Sequence, residues 1–351
     1  MPPPERLRIA TYNVEWFNAL FDDAGRLLAD NQPSARYQTD RATQLGALGI
    51  VFSALDADAV LVIEAPDTGS RRSSVTALEN FARQFDLRTS RAITGFTSET
   101  EQEISVLYDP ARLTLRHDPM GNAVGRHGSA DAPRFDGTFR YDLDTDRAPE
   151  TLRFSKPPLE LAVETAGGRQ FRMIGVHAKS KAPHGAKGAE ATRLSIENRR
   201  KQLAQCIWLR QRVEYHLARG DDLVVAGDFN DGPGIDEFEK LFGHSGVEIV
   251  MGLDALPPMR LYDPHAAMAL TGRMGLAPTT ARFWHGPKKR YFEALLDFIM
   301  VSPGLKQSRP EWRIWHPWND PGCLNTPELH EALLQASDHF PVTIDLVFGQ
   351  T

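Results

Sequence analysis

The stretch GDFND, residues 227–231, brings Asp228, Asn230 and Asp231 into one short run. Such groups can bind water, accept a proton from it or hold a metal ion. Alone, the run fits a turn equally well, because Asp and Asn are common turn formers after a strand. Similar residues recur along the chain. Asn13 and Glu15 follow LRIATY, Glu64 follows VLVI, and His177 follows RMIGV. Asp297 lies within ALLDFIMV, and Ser337, Asp338 and His339 lead into FPVTIDLVF. A lone Glu at a strand end is usually solvated, and a lone His there is usually structural. Asp297 is harder to dismiss: a carboxylate inside a buried strand needs a partner, such as His339 or a cation. Acid, amide and imidazole groups at several strand ends, in this order, describe a site where strands meet loops.

The elements that must carry these groups follow from periodicity. Residues 7–14 alternate apolar and polar side chains and read as a strand, and 40–54 carry apolar residues at helical spacing behind an Asp40 cap. Residues 59–63 form an apolar run that suits a strand buried on both faces. A helix over 73–85 and a strand over 103–110, stopped by Pro110, come next. FDGTFRYDL reads as a hairpin, and 159–180 as two strands joined by a turn at Gly167 and Gly168. A long helix is expected over 189–219 and a short one over about 235–242. Two further strands are expected over 294–302 and 340–348. Strand pairs alternate with helices and no linker divides the chain, so residues 1–351 are expected to form one α/β (α+β) domain of two packed sheets with helices outside. Loop-rich insertions are expected at about 117–158, 251–290 and 303–335.

The bulk composition bounds the class. The chain has 351 residues, 41% hydrophobic and 25% charged, which suits a globular protein with a substantial core. Net charge is −6 and pI is near 6.0, unlike a globally basic nucleic-acid binder, though a local basic groove is compatible with it. No apolar run is long enough to span a bilayer, and MPPPERLRIATYNVEWF has no apolar signal core, so a cytoplasmic location is expected, with a lost leader as the alternative, and the chain is expected to act as a monomer. Two cysteines, Cys206 and Cys323, give neither a disulfide framework nor a thiolate zinc site. Cys206 reads as a small core residue.

The wording of the motifs resembles the endonuclease/exonuclease/phosphatase superfamily. These metal-dependent phosphoesterases include deoxyribonuclease I, apurinic endonucleases, sphingomyelinases and inositol-phosphate phosphatases. The resemblance runs from TYNVEWF at residue 11 to SDHFPV ending at residue 342. GDFN and SDHFPV are its most specific pieces, and VHAKSK is most similar to the bacterial nuclease-like branch. It implies a four-layer αββα sandwich with Asn13 and Glu64 at a metal and Glu15 and Asp338 as nearby carboxylates. It implies that His177 holds a phosphate oxygen, that Asp228 and Asn230 handle the attacking water and the phosphoryl group, and that Asp297 orients His339. Such oxygen donors suit Mg²⁺, with Mn²⁺ as a natural substitute. Asp228 and His339 compete for the role of base, while a protonated His339 would act as an electrophile instead. The chain departs from the pattern at Ile63, where the family often has Gln. Tyr108 is the candidate for the family's phosphate-contacting Tyr, and Lys179 and Lys181 for further phosphate contacts. Asp231 reads as the turn before Gly232-Pro233, with a carboxylate supporting the site from behind as the alternative, and Gly227 reads as a place where backbone approaches the centre.

Substrate choice belongs to the loops. Those at 18–39, 117–158, 180–192, 251–290 and 303–335 are the selective ones. HGPKKRY, 285–291, is a cationic patch beside Trp284 and Tyr291, a mixture that fits single-stranded nucleic acid, an anionic sugar or a lipid headgroup. PEWRIWHPWNDPG, 310–322, holds three tryptophans and reads as a packed loop, with a membrane-touching or base-stacking lip as the alternative. The expected activity is Mg²⁺-dependent nuclease or phosphodiesterase chemistry on a phosphate-ester substrate, nucleic acid included. The alternative is a phosphatase or phospholipase acting on a small, sugar or lipid ester.

Overall fold

The computed structural model describes residues 5–142, 149–182, 185–186, 188–233, 243–271, 277–285 and 289–348. Strand β1 (Glu5–Asn13) begins the first sheet, and the 15-residue helix α1 (Arg41–Leu55) follows. Asp40 starts α1 by accepting the Thr43 N–H, and Asp56 ends it in the left-handed region. Next come β2 (Ala59–Ala65), α2 (Ser74–Gln84), β3 (Arg91–Thr94), β4 (Glu103–Tyr108) and β5 (Leu113–His117). The short pair β6 (Phe139–Tyr141) and β7 (Glu150–Leu152) precedes β8 (Leu159–Thr165), β9 (Gln170–His177), the 31-residue α3 (Gly188–Ala218) and β10 (Leu223–Asp228). Helices α4 (Gly246–Met251) and α5 (Pro264–Leu270) lead to a hairpin of β11 (Ala281–His285) and β12 (Arg290–Ala294). The chain closes with β13 (Asp297–Val301), α6 (Pro303–Gln307), β14 (Glu311–Ile314), α7 (Pro321–Leu324), α8 (Pro327–Ala336) and β15 (Val342–Phe348).

Two mixed sheets result, one ordered β14-β15-β1-β2-β4-β3 and the other β13-β10-β9-β8-β5. Their facing sides share a dry core that includes Ile9, Leu61, Ile63 and Val106 from one sheet and Met173, Val224, Ala226 and Ile299 from the other. The outer face of the first sheet packs on α1, α2 and α8 through Val51, Phe52, Phe81 and Leu333. The outer face of the second packs on α3 through Trp208, Leu209 and Val213. This is the expected four-layer αββα sandwich. Strands buried on both faces explain the near-continuous apolar runs in β2 and β10.

Several expectations change. The hairpin near FDGTFRYDL pairs Phe139–Tyr141 with Glu150–Leu152, because Asp136 is taken by Arg134 in a turn ahead of the strand. Edge strands β3, β5 and β14 are short and half exposed, so their patterns carry little signal. The regions read as loops at 250–290 and 303–335 contain α5, part of the β11–β12 hairpin, α6, β14, α7 and α8. Asp297 opens β13 rather than interrupting it. The helix expected over 235–242 lies outside the described residues. The tryptophan-rich loop is packed: Trp315 donates to Thr343 Oγ1 and Trp312 to the Ile299 carbonyl. Cys206 is buried in α3, as expected. No described helix is long and apolar enough to cross a membrane.

Candidate active site

The site sits where strand ends from both sheets meet. In the second sheet the register aligns Asp228 with His177 on one side and with Asp297 on the other. Three neighbouring strands thus deliver an imidazole and two carboxylates at the same level. Gly227 makes this possible: its φ is +135°, and a Cβ there would lie 1.9 Å from the Val176 carbonyl oxygen of β9. The close approach is therefore to the neighbouring strand rather than to the reacting groups. In the first sheet, Asn13 ends β1 opposite Ile63, and a bulge between Ile63 and Ala65 turns Glu64 toward the same end. Glu15, Trp16, Glu64 and Asn230 all hold positive φ, so non-glycine backbone strain gathers around one cleft.

The two halves are stitched together. Asn13 Nδ2 on the first sheet donates to Asp228 Oδ2 on the second at 3.0 Å. Asn230 N donates to Asp228 Oδ1 at 2.7 Å, and its side-chain amide donates to Asp228 Oδ2 at 3.2 Å and to the Ala178 carbonyl at 3.1 Å. His339 Nδ1 lies 2.7 Å from Asp297 Oδ2, and His177 Nε2 lies 3.7 Å from Asp228 Oδ2. Ser337 links the last loop to β1, donating to the Asn13 carbonyl at 2.7 Å.

Burial splits the ionisations. Asp228 is pushed up to about 7 by burial, with Asp297 adding and His339 opposing. Burial works against charge on His339, yet Asp297, Asp228 and Asp338 overcome it and hold the imidazole well above its ordinary value. His177 goes the other way: burial, with Lys156 and His339 nearby, holds it well below the usual range, so it is neutral. Glu15 is raised to about 7 by burial and by Asp338, and Asp338 is raised by burial against the pull of His339 and Arg36.

Asn13, Glu15, Glu64, His177, Lys181, Asp228, Asn230, Asp338 and His339 line one cleft of about 840 Å³. Glu15 is partly committed, because its Oε2 takes both Arg36 and the Asp338 N–H. Lys181 lines the cleft, but its ammonium sits 2.9 Å from Asp231. Lys179 does not line it. Tyr108 is misplaced as a phosphate contact: it pairs with Ala59 at the start of β2, while Glu64 stands at the far end of that strand. Asp231 is more than a turn residue, since it is fully buried and joins Arg199, Lys181 and the Gly246 N–H.

Sequence reasoning missed three residues. Lys156 places its ammonium 3.1 Å from His177 Nε2 and 3.2 Å from Nδ1, where burial lowers it to about 8. It comes from SKPP, a loop with no periodic signal. Gln202, fully buried on α3, donates to the carbonyls of Lys179, Phe229 and Asn230 at 2.9, 3.1 and 2.9 Å. Gln44, fully buried on α1, does the same for the Glu15 and Ala336 carbonyls. Each outer helix layer thus sends one amide inward to clamp the loops that carry the site. A polar residue at a core-facing helix position, as in RRKQLAQ, is the signal that could have found Gln202.

A divalent cation suits one side of the cleft. Asn13, Glu64 and Asp338 bring side-chain oxygens to it, and Glu15 adds a further carboxylate, accepting the Asp338 N–H at 2.9 Å. Asp228, Asp297 and His339 also bring ligand atoms within 4.8 Å of one another. That trio is built differently, because His339 is cationic and already hydrogen-bonded to Asp297.

The sequence matches the model of the Endonuclease/Exonuclease/phosphatase family over residues 10–339. No curated protein sequence matches the chain. Among solved structures, TDP2 from Caenorhabditis elegans is similar at 12% identity, with a TM-score of 0.51 over 98% of this chain and 75% of that one. An endonuclease/exonuclease/phosphatase family protein from Bacteroides thetaiotaomicron is similar at 15% identity, with a TM-score of 0.50 over 99% of both chains. At such identities the likeness is one of fold.

Proposed function

We infer that this chain, which belongs to the Endonuclease/Exonuclease/phosphatase family, is a Mg²⁺-dependent phosphodiesterase acting on nucleic acid. The observation that carries the reading is the arrangement of Asp228 and His339 in one cleft: their ligand atoms lie within 4.8 Å of each other, Asp228 is held by Asn13 and Asn230, and His339 is held by Asp297 at 2.7 Å, an arrangement that raises the Asp228 carboxyl and favours the charged imidazole. That is the division of labour a diester hydrolysis needs. Asp228 takes the proton of the attacking water, for which a value near 7 is well matched. His339, cationic and fixed by Asp297, places positive charge and an N–H at a phosphoryl oxygen as charge develops there. His339 is therefore the electrophile of the pair and Asp228 the base. His177, neutral, and Lys156 grip a second phosphoryl oxygen, and the Asn230 amide orients the water and the phosphoryl group.

Glu64, Asn13 and Asp338 would hold Mg²⁺, with Glu15 supporting Asp338 from behind. When bound, the ion supplies positive charge beside the phosphate and the departing oxygen. The test is cleavage of single- and double-stranded DNA and RNA with Mg²⁺ or Mn²⁺, with and without EDTA. Cleavage that EDTA abolishes, that falls steeply with salt, and that Asp228→Asn nearly eliminates without unfolding is expected. Cleavage of no nucleic acid, together with phosphate or phosphocholine release from a small or lipid ester, would establish the alternative reading.

A further inference from the structure

The catalytic groups lie on the polar floor of a cleft whose walls carry aromatic rings. Trp16 lines it from the loop after β1, and Phe283 and Phe292 line it from the β11–β12 hairpin. None of the phosphate chemistry above uses these rings. Trp16 is 45% exposed and Phe292 38%, so both keep apolar surface in water. Trp16 is also held there against its backbone preference, with φ +59° and ψ +43° in the left-handed region. Its backbone N–H donates to Glu64 Oε2 at 2.8 Å, which anchors the residue that carries the indole to a carboxylate of the reaction centre. Phe283 and Phe292 form a cross-strand pair, with ring centroids 6.2 Å apart and planes 22° apart.

The opposite face of the hairpin is also aromatic. Trp284 and Tyr291 occupy its other face, 49% and 52% exposed. The Arg282 guanidinium packs 3.6 Å from the Tyr291 ring centroid, and Lys289 and Arg290 are exposed near the turn. The hairpin thus turns one ring pair, Phe283–Phe292, to the cleft and carries a second, Trp284–Tyr291 with Arg282, on its opposite face.

Resting on the diesterase reading above, we propose that this wall is a base-stacking subsite for single-stranded nucleic acid. Bases flanking the scissile phosphate leave their own stack and pack on Trp16 and the Phe283–Phe292 face. The exposed Lys289 and Arg290 meet neighbouring phosphates. A duplex keeps its bases stacked internally, so the wall selects unpaired strands. The wall also carries polar groups: Glu293, 3.6 Å from Arg282, and Gln102 line the same cleft. Beside an acyl chain these would lose water without gaining hydrogen bonds. Beside a base edge they meet donors and acceptors.

The test uses two single-stranded oligonucleotides of equal length, one with ordinary bases and one of abasic tetrahydrofuran units. Each is offered with Mg²⁺ to the wild type, Trp16→Ala, Trp16→Phe and Phe292→Ala. The wild type is expected to prefer the base-bearing strand by about 10-fold or more in kcat/KM, since each stacked base contributes roughly 5- to 150-fold. Trp16→Ala and Phe292→Ala lose most of that preference, chiefly through KM, and Trp16→Phe, which keeps a ring, restores it. Equal cleavage of both strands by the wild type, or a preference intact in both alanine variants, overturns the subsite and leaves the diesterase reading standing. Cleavage of neither strand, with activity on a phosphomonoester, overturns both. Hydrolysis of sphingomyelin vesicles faster than either strand, lost in the same variants, assigns the wall to acyl chains and overturns the proposal.

Discussion

Replacing Lys156 with Met should make the metal-free protein more stable and the enzyme worse. The ammonium is partly buried beside neutral His177, and loss of water there lowers it from its ordinary 10.5 to about 8. At roughly 1.36 kcal/mol per pH unit, that gap corresponds to about 3 kcal/mol of destabilisation at pH 7 from keeping the charge inside the fold. Methionine fills a similar volume without the charge, so after losing the contact to His177 the net gain should be about 1–3 kcal/mol. The pH dependence gives an independent sign. Folded Lys156 releases its proton near 8, whereas the unfolded chain holds it to about 10.5. Between those values the unfolded state binds more protons, so wild-type stability relative to the variant rises with pH through that window. Below pH 8 the destabilisation is fully present; above about 10.5 it is gone. Urea unfolding in EDTA at pH 7 and pH 9.5 reads both effects, and the difference between wild type and variant cancels other titrating groups. Activity should fall roughly 10- to 100-fold in kcat/KM, as expected for losing one charged phosphate contact. A variant less stable than wild type at pH 7, with a gap that does not change with pH, would refute the reasoning.

Three further outcomes follow from the same geometry. Asp297→Asn removes the carboxylate that holds His339 protonated and should lower kcat by roughly 100-fold or more, with the alkaline limb of the pH–rate profile moving to lower pH. An unmoved limb would show that Asp297 does not set the charge on His339. Gln202→Leu strips the Lys179, Phe229 and Asn230 carbonyls of their donor, so unfolding free energy should drop by about 1–3 kcal/mol and kcat should fall while KM changes little; a loss carried entirely by KM would place Gln202 in substrate binding instead. Glu64→Gln should shift the Mg²⁺ titration of activity to higher concentration, with activity partly recovered at saturating ion, and an unchanged titration would remove Glu64 from the metal side of the cleft.

The strongest periodic segments were legible in the sequence because burial on both faces writes itself as apolar runs, as in β2 and β10. The same strands end at polar residues, so Glu64, His177 and Asp228 could be picked out as a group. Edge strands such as β3 and β14 were not legible, because a half-exposed strand has no face to declare. Lys156 escaped for a related reason. Its role depends on where the chain lies relative to His177, and SKPP has no local property that reports this. Tyr108 failed in the opposite direction: strand position along a sheet is a matter of register, and register placed it opposite Ala59, away from Glu64. Asp231 looked like a turn because its partners Arg199 and Gly246 are distant in sequence.

The 3.0 Å bond from Asn13 to Asp228 crosses from one sheet to the other, and what lies beneath it is the dry interface between them. Half of the reaction centre travels with each sheet. The centre thus behaves as a gauge of how the two sheets are seated. A core substitution such as Ile63→Val or Ile299→Leu touches no reacting group, yet a slide of about 1 Å between layers can change turnover by about 100-fold. Activity in this fold can be tuned from its oily middle, and sequence change there is a route by which a lineage could adjust rate without altering any residue that meets the phosphate.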